Sequence, residues 1–202
     1  MLPVTTPSSV PTDEIYERYL QKAIAEINEL GDEITRAAAR KGAVAVLGSG
    51  HPLADILLLK HAPKPSEVQE GVAFFGRSGQ AILKSLQRLH IDPMAIYGTN
   101  CLKFHGASDR QCRPWLTREL HIVGPKLVVP MGDDARTFLN SLKFPLADEV
   151  GPELGTLQRF TPTIDALVVP DVDESLDEQG AKSQFWSAFR AVGPWWSELP
   201  PY

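Results

Sequence analysis

Gly48-Ser49-Gly50, Gly76-Arg77-Ser78-Gly79, two cysteines and five histidines are the features whose residue types could carry chemistry. Most of that chemistry is excluded by spacing. A dinucleotide fingerprint follows a strand, so that its glycines bring a helix N-terminus onto the pyrophosphate, and Gly48-Ser49-Gly50 precedes one. There is no GxxxxGK[ST] run, hence no phosphate loop. Gly76-Arg77-Ser78-Gly79 lacks the GxSxG spacing of a nucleophile elbow, so Ser78 reads as a helix cap and not as a nucleophile. No two histidines stand four apart, which removes a helical zinc pair. Cys101 and Cys112 can build neither a disulfide framework nor a four-thiolate metal site. They read as reduced thiols of a cytoplasmic protein, with no metal and no cofactor expected.

The elements that position these residues follow from the hydrophobic pattern. Residues 1–11 hold three prolines among small polar residues and read as a loose arm. Residues 12–202 are expected to form one domain, taken as a monomer. Thr12 caps a helix with Asp13 and Glu14 in its first turn, and Gly31 should interrupt it before a second piece ends near Arg40. Four short apolar runs follow, at 56–59, 95–99, 127–131 and 166–169. None alternates with polar residues, which is the pattern of strands buried on both faces. Helical spacing lies between and after them, at 79–89, from Ser108 to about Leu120, at 133–142 and at 182–192. Ser108 and Gln111 form a capping-box pattern, and Pro114 should kink that helix or delay its start. Alternating strands and helices predict a three-layer α/β/α fold around a four-stranded parallel sheet. Ligands bind beyond the carboxyl ends of such strands. That selects 60–71, 100–108, 132–134 and 171–178 before any motif is named. No apolar run approaches the length of a membrane span, and residues 1–11 lack the pattern of a secretion signal. The aromatic, Pro-rich C-terminus (Gly193-Pro194-Trp195-Trp196, Pro200-Pro201-Tyr202) is expected to pack over a helix end.

The net charge of −5 argues against a nucleic-acid partner if taken whole. It is unevenly spread. Residues 60–122 hold nine Lys/Arg and five Asp/Glu, or +4, and four of the five histidines, while the remainder is −9. This is either an accident of the chosen window or a basic face on an acidic body.

The run from Lys60 to Glu67, followed by Gly71-Val72-Ala73-Phe74-Phe75-Gly76-Arg77-Ser78-Gly79, resembles the uracil-DNA glycosylase superfamily. It is nearest the family-four branch, which carries an iron–sulfur cluster. There a GEAPG strand end runs without a gap into a PFVGRAG-like sequence. Tyr97-Gly98-Thr99-Asn100-Cys101-Leu102-Lys103 is similar to that branch's TNxxK segment, and Cys112-Arg113-Pro114-Trp115-Leu116 to its CRPYL helix. The resemblance implies a uracil-DNA glycosylase-like fold and hydrolysis of the N-glycosidic bond of uracil, or another damaged base, in DNA for base-excision repair. The base leaves the stack and enters a tight pocket. By the same resemblance Phe74 stacks on the base, Asn100 reads its edge and the backbone of Ala62 and Pro63 helps hold it. An amide offers a donor and an acceptor together, which suits a carbonyl and N–H edge. Lys60, Lys64, Arg77 and Lys103 are expected to contact DNA.

The pattern departs from the family at three places. His61 stands where GEAPG has glutamate, flanked by Lys60 and Lys64 in place of glycines, and an imidazole could position or deprotonate water near neutral pH. Phe104 replaces a cluster cysteine and the N-terminal pair is missing, so Cys112 is left alone. Packing by Phe104 would have to replace the cluster. Asp173 falls near the place of the family's catalytic histidine, within the acidic run Asp171–Glu178. An ionised carboxylate ~4 Å from a developing anion costs about 4 kcal/mol at an effective dielectric of about 20. That is roughly a thousandfold in rate. A solvated helix start accounts for the same acids. His61 and Asp173 are thus the candidate catalytic positions. Three readings stand: a divergent glycosylase, a catalytically impaired homologue that binds a nucleobase, nucleotide or nucleic acid, and an unrelated small-molecule site on the same architecture.

Overall fold

The computed structural model describes residues 12–200. Residues 1–11, expected as a loose arm, lie outside them, as do the Thr12 side chain and Pro201-Tyr202. Four strands form the centre of the sheet: β2 (Ile56–Lys60), β3 (Ile96–Asn100), β4 (Leu127–Pro130) and β6 (Ile164–Leu167). They run parallel in the order β3-β2-β4-β6. Every residue of β2, β3 and β4 is buried, which is why none alternates in sequence. Two antiparallel strands extend the edges, giving six in all. The two-residue β1 (Ser49–Gly50) pairs with β3, and β5 (Leu157–Thr161) pairs with β6.

Helices cover both faces. On one lie α1 (Thr12–Ala39), α4 (Asp109–Val123) and α5 (Asp133–Ser141), burying Leu30, Ile34, Leu116, Leu120, Phe138 and Leu139 against Leu57 and Leu59. On the other lie α3 (Arg77–Arg88), α6 (Gln179–Phe189) and α7 (Val192–Glu198), burying Ile82, Leu86, Phe185, Phe189 and Trp195 against Ile56, Leu58 and Val129. The one-turn α2 (Pro65–Glu70) follows β2. Among the described residues no helix is long and apolar enough to cross a membrane.

Several expectations shift. Gly31 does not break α1, which runs unbroken over 28 residues. A helical glycine costs only about 1 kcal/mol relative to alanine. Here its bareness serves packing, because a Cβ would stand 3.1 Å from Leu47. The apolar residues Ile15, Tyr16 and Tyr19 at the start of α1 are exposed, and the core begins at Ala23. Pro114 neither delays nor ends α4, which begins at Asp109. The Ser108 hydroxyl accepts a hydrogen bond from the Gln111 N–H at 3.4 Å. Ser78 is the second residue of α3 and buried, and Gly76 caps that helix instead. The Trp-rich C-terminus forms α7, where Gly193 sits against Leu89 at the end of α3 and Trp195 Nε1 donates to Asp165 at 3.0 Å.

Candidate functional site

The strand ends converge as the parallel order demands. Side chains of paired residues in a parallel sheet point to the same face, so Lys60 of β2 and its register partner Asn100 of β3 stand side by side. Gly98, two residues before Asn100, lies on that face too and carries no side chain. The Phe74 ring occupies the room this leaves: a Cβ on Gly98 would stand 2.7 Å from its Cδ2. A Cβ on Gly79 would stand 2.0 Å from the Phe74 carbonyl oxygen. Two glycines therefore admit one phenylalanine. Phe74 itself has φ +62°, a left-handed conformation costly for a bulky residue. Its N–H donates to the Glu67 carboxylate, which helps hold it there. An apolar cavity of about 190 Å³ shares this ring as a wall, together with Leu58, Gly79, Ile82 and Gly98.

Glu67 is fully buried and has three partners. Its Oε1 takes the Phe74 N–H, and its Oε2 takes the Lys64 N–H at 2.7 Å and the Lys60 ammonium at 2.9 Å. Lys60 then reaches Asp173 Oδ2 at 2.8 Å, and its Nζ lies 5.0 Å from the centroid of the Phe74 ring. One lysine thus ties together the end of β2, α2, the aromatic wall and the acidic segment 171–178. Asp171 accepts the Asp173 N–H at 2.7 Å and abuts Gly132, so the turn after β4 joins the same place. All four of the strand-end segments selected from the pattern contribute to this region.

Asn100 is completely buried, and both its Oδ1 and its Nδ2 lack any hydrogen-bond partner. Among the described residues these are the buried side-chain polar atoms left unsatisfied. Burying an unpaired amide costs about 1–3 kcal/mol. Such a group is left for a ligand or an ordered water to satisfy.

The structure separates the other residues singled out in sequence. His61 is half-buried, and its ring lies edge-on to Phe138 of α5 at 6.4 Å, toward the face opposite Phe74. Ala62 and Pro63 form the half-buried turn into α2. Lys64 is exposed at the start of α2, beside a cleft of about 740 Å³ lined by Lys41, Pro63, Pro65 and His105. Arg77 is exposed and paired with Asp177 at 2.5 Å. Lys60 and Lys103, expected to face DNA, do not: they are 1% and 0% exposed. Lys103 pairs with Glu119 of α4 and donates to Thr99 Oγ1 at 2.7 Å. Buried lysines persist only when paired, and each has found its carboxylate. The residues that sequence reasoning missed are Glu67, Gly79 and Gly98. The signal for Glu67 was its place three residues after Lys64, the spacing of a capping box.

The donor set does not fit an iron–sulfur cluster. The sequence holds two cysteines, both buried, and burial pushes both thiols up. Phe104 is fully buried and packs on Trp115 with ring centroids 6.2 Å apart. Among the described residues no group of three or more His, Cys, Asp or Glu is placed to hold a metal.

The family model of the Uracil DNA glycosylase superfamily matches residues 47–186. The chain belongs to that superfamily. Over 159 residues it is 23% identical to a type-4 uracil-DNA glycosylase of Archaeoglobus fulgidus, covering 73% of this chain and 80% of the relative. A type-4 uracil-DNA glycosylase of Sulfurisphaera tokodaii is 28% identical over 106 residues, 48% of each chain. One of Pyrobaculum aerophilum is 26% identical over 119 residues, 55% of this chain and 61% of the relative. The match thus spans about half of the Sulfurisphaera relative and four-fifths of the Archaeoglobus one. The three-layer α/β/α architecture is that of the superfamily.

Proposed function

We propose that this chain is a uracil-DNA glycosylase-like hydrolase of base-excision repair, acting in the cytoplasm on a damaged base flipped out of DNA. The observation that carries this reading is the buried, unpartnered Asn100 amide on the same sheet face as the Phe74 ring. A flat apolar wall and an amide with free donors and acceptors are what a nucleobase needs. Ala62 and Pro63 hold the base or the attacking water through their backbone, and His61 positions that water. Lys64 and Arg77 meet the DNA backbone.

The test uses the whole chain and single- and double-stranded oligonucleotides carrying uracil, with abasic sites revealed by alkali. Strand breaks are expected, and Asn100→Ala and His61→Ala should each reduce them at least tenfold. Absence of breaks at stoichiometric protein rejects hydrolysis of uracil.

A second reading is supported by the placement of His61 against Phe138, away from the amide. In it the pocket binds a base without cleaving it. Uracil would then raise the melting temperature, Asn100→Ala would remove that rise, and no strand breaks would appear.

A further inference from the structure

The charge beside the Asn100 amide is unusual for a pocket that releases uracil. One ammonium, Lys60, stands between two carboxylates, Glu67 and Asp173. Its Nζ lies 2.9 Å from Glu67 Oε2, 2.8 Å from Asp173 Oδ2 and 5.0 Å from the centroid of the Phe74 ring. Glu67 is shared further with two backbone N–H groups, whereas Asp173 remains 12% exposed. The cluster carries one negative charge in excess, and the group at its open side accepts hydrogen bonds only. Loss of uracil leaves the bond electrons on a ring nitrogen, so the departing base is an anion, and this cluster repels it.

We propose, building on the glycosylase reading above, that the preferred substrate is a positively charged, N-alkylated base in DNA, such as 3-methyladenine or 7-methylguanine. Three features bear on the base: one favours a cation, and two accommodate a planar ring with a hydrogen-bonding edge. The excess charge of the cluster is balanced by a cation. The Phe74 ring, whose centroid already lies 5.0 Å from the Lys60 ammonium, offers a flat wall for a planar base. Asn100 presents its oxygen to an N–H edge or its nitrogen to a carbonyl, so the amide serves either methylated purine. The chemistry balances without an anion. The C1′–N bond breaks with its electron pair passing to the ring nitrogen, which neutralises the base. The water oxygen bonds to C1′, and one proton of that water leaves to solvent. No group is needed to stabilise a departing negative charge, which agrees with the Asp173 carboxylate held on Lys60.

The experiment compares DNA treated with a methylating agent and DNA containing uracil, each incubated with the full chain, with released bases separated by chromatography. Methylated bases should be released at least tenfold faster than uracil. Asp173→Asn, which keeps the Lys60–Glu67 pair, should move the ratio of methylated base to uracil at least tenfold toward uracil. Asp173→Glu, which keeps the charge, should retain the original ratio. A merely structural role for Asp173 would lower both rates alike and leave the ratio unchanged, which overturns the proposal. Release of uracil without methylated bases overturns it while the glycosylase reading stands. Release of neither base overturns that reading and this proposal with it.

Discussion

Two lysines are buried at the ends of neighbouring strands, and they stand in opposite surroundings. Lys103, just past β3, enters a closed network. Its ammonium meets Glu119 and Thr99, and Glu119 also accepts from the Tyr97 hydroxyl at 2.9 Å. Burial first, and then the Glu119 charge and hydrogen bond, push the Tyr97 phenol far above its usual range, so it stays a neutral donor. Lys60, at the end of β2, is as deeply buried, but its network is open. It ends at the partly exposed Asp173, with the orphaned Asn100 amide beside Lys60. A satisfied buried network specifies a fold, and an unsatisfied one leaves hydrogen bonds for a ligand or water to supply. Opposite faces of β3 carry the two roles: Tyr97 and Thr99 point into the closed network, Gly98 and Asn100 into the open one.

This contrast breaks most visibly at Lys103. Lys103→Met should cost about 3–5 kcal/mol, because Glu119 is left buried without its cation. Urea denaturation measures it, and a loss below about 1 kcal/mol would show the network to be dispensable. Asn100→Leu should do the reverse. Removing an unpaired buried amide should raise stability by about 1 kcal/mol while abolishing base binding. A variant that binds normally, or is clearly destabilised, removes the argument for an open site. The smallest effect is expected at a half-exposed reference outside both networks. Glu33 accepts from Trp115 Nε1 at 2.8 Å and pairs with Arg118, and these contacts, in that order, hold its carboxyl below the usual 4.5. A lowered carboxylate stabilises above its unfolded value and loses that contribution as pH falls through the folded value. Glu33→Gln should therefore cost about 0.5 kcal/mol at pH 7, and that cost should vanish once the pH lies below the lowered folded value. A cost that persists in acid would assign the effect to shape and not to charge.

The sheet was legible because β2, β3 and β4 are buried throughout and so show no regular polar alternation. β1 and β5 escaped because the first is two residues long and the second is half-exposed. The two lysines were misplaced for a physical reason. Lysine is a surface residue by type, and the partner that reverses this for Lys60 lies 113 residues away. One sign was present: Lys60 continues a strand in which every preceding residue is apolar. The basic segment 60–122 allowed either an accident of the chosen window or a phosphate-facing surface, and two of its nine cations are consumed inside the protein. Phe74 and Asn100 were identified through resemblance, but the glycines that make room for the ring required coordinates.

Phe74 holds its ring with a backbone conformation that glycine and asparagine adopt at far lower cost. Stability and function therefore pull this position in different directions. A library randomised there and selected for thermal resistance alone would drift toward glycine or asparagine, and the survivors would keep the fold and lose the wall of the pocket. A search for distant members of this group by core similarity would retain such chains. The identity of residue 74 separates them from those that keep the aromatic wall.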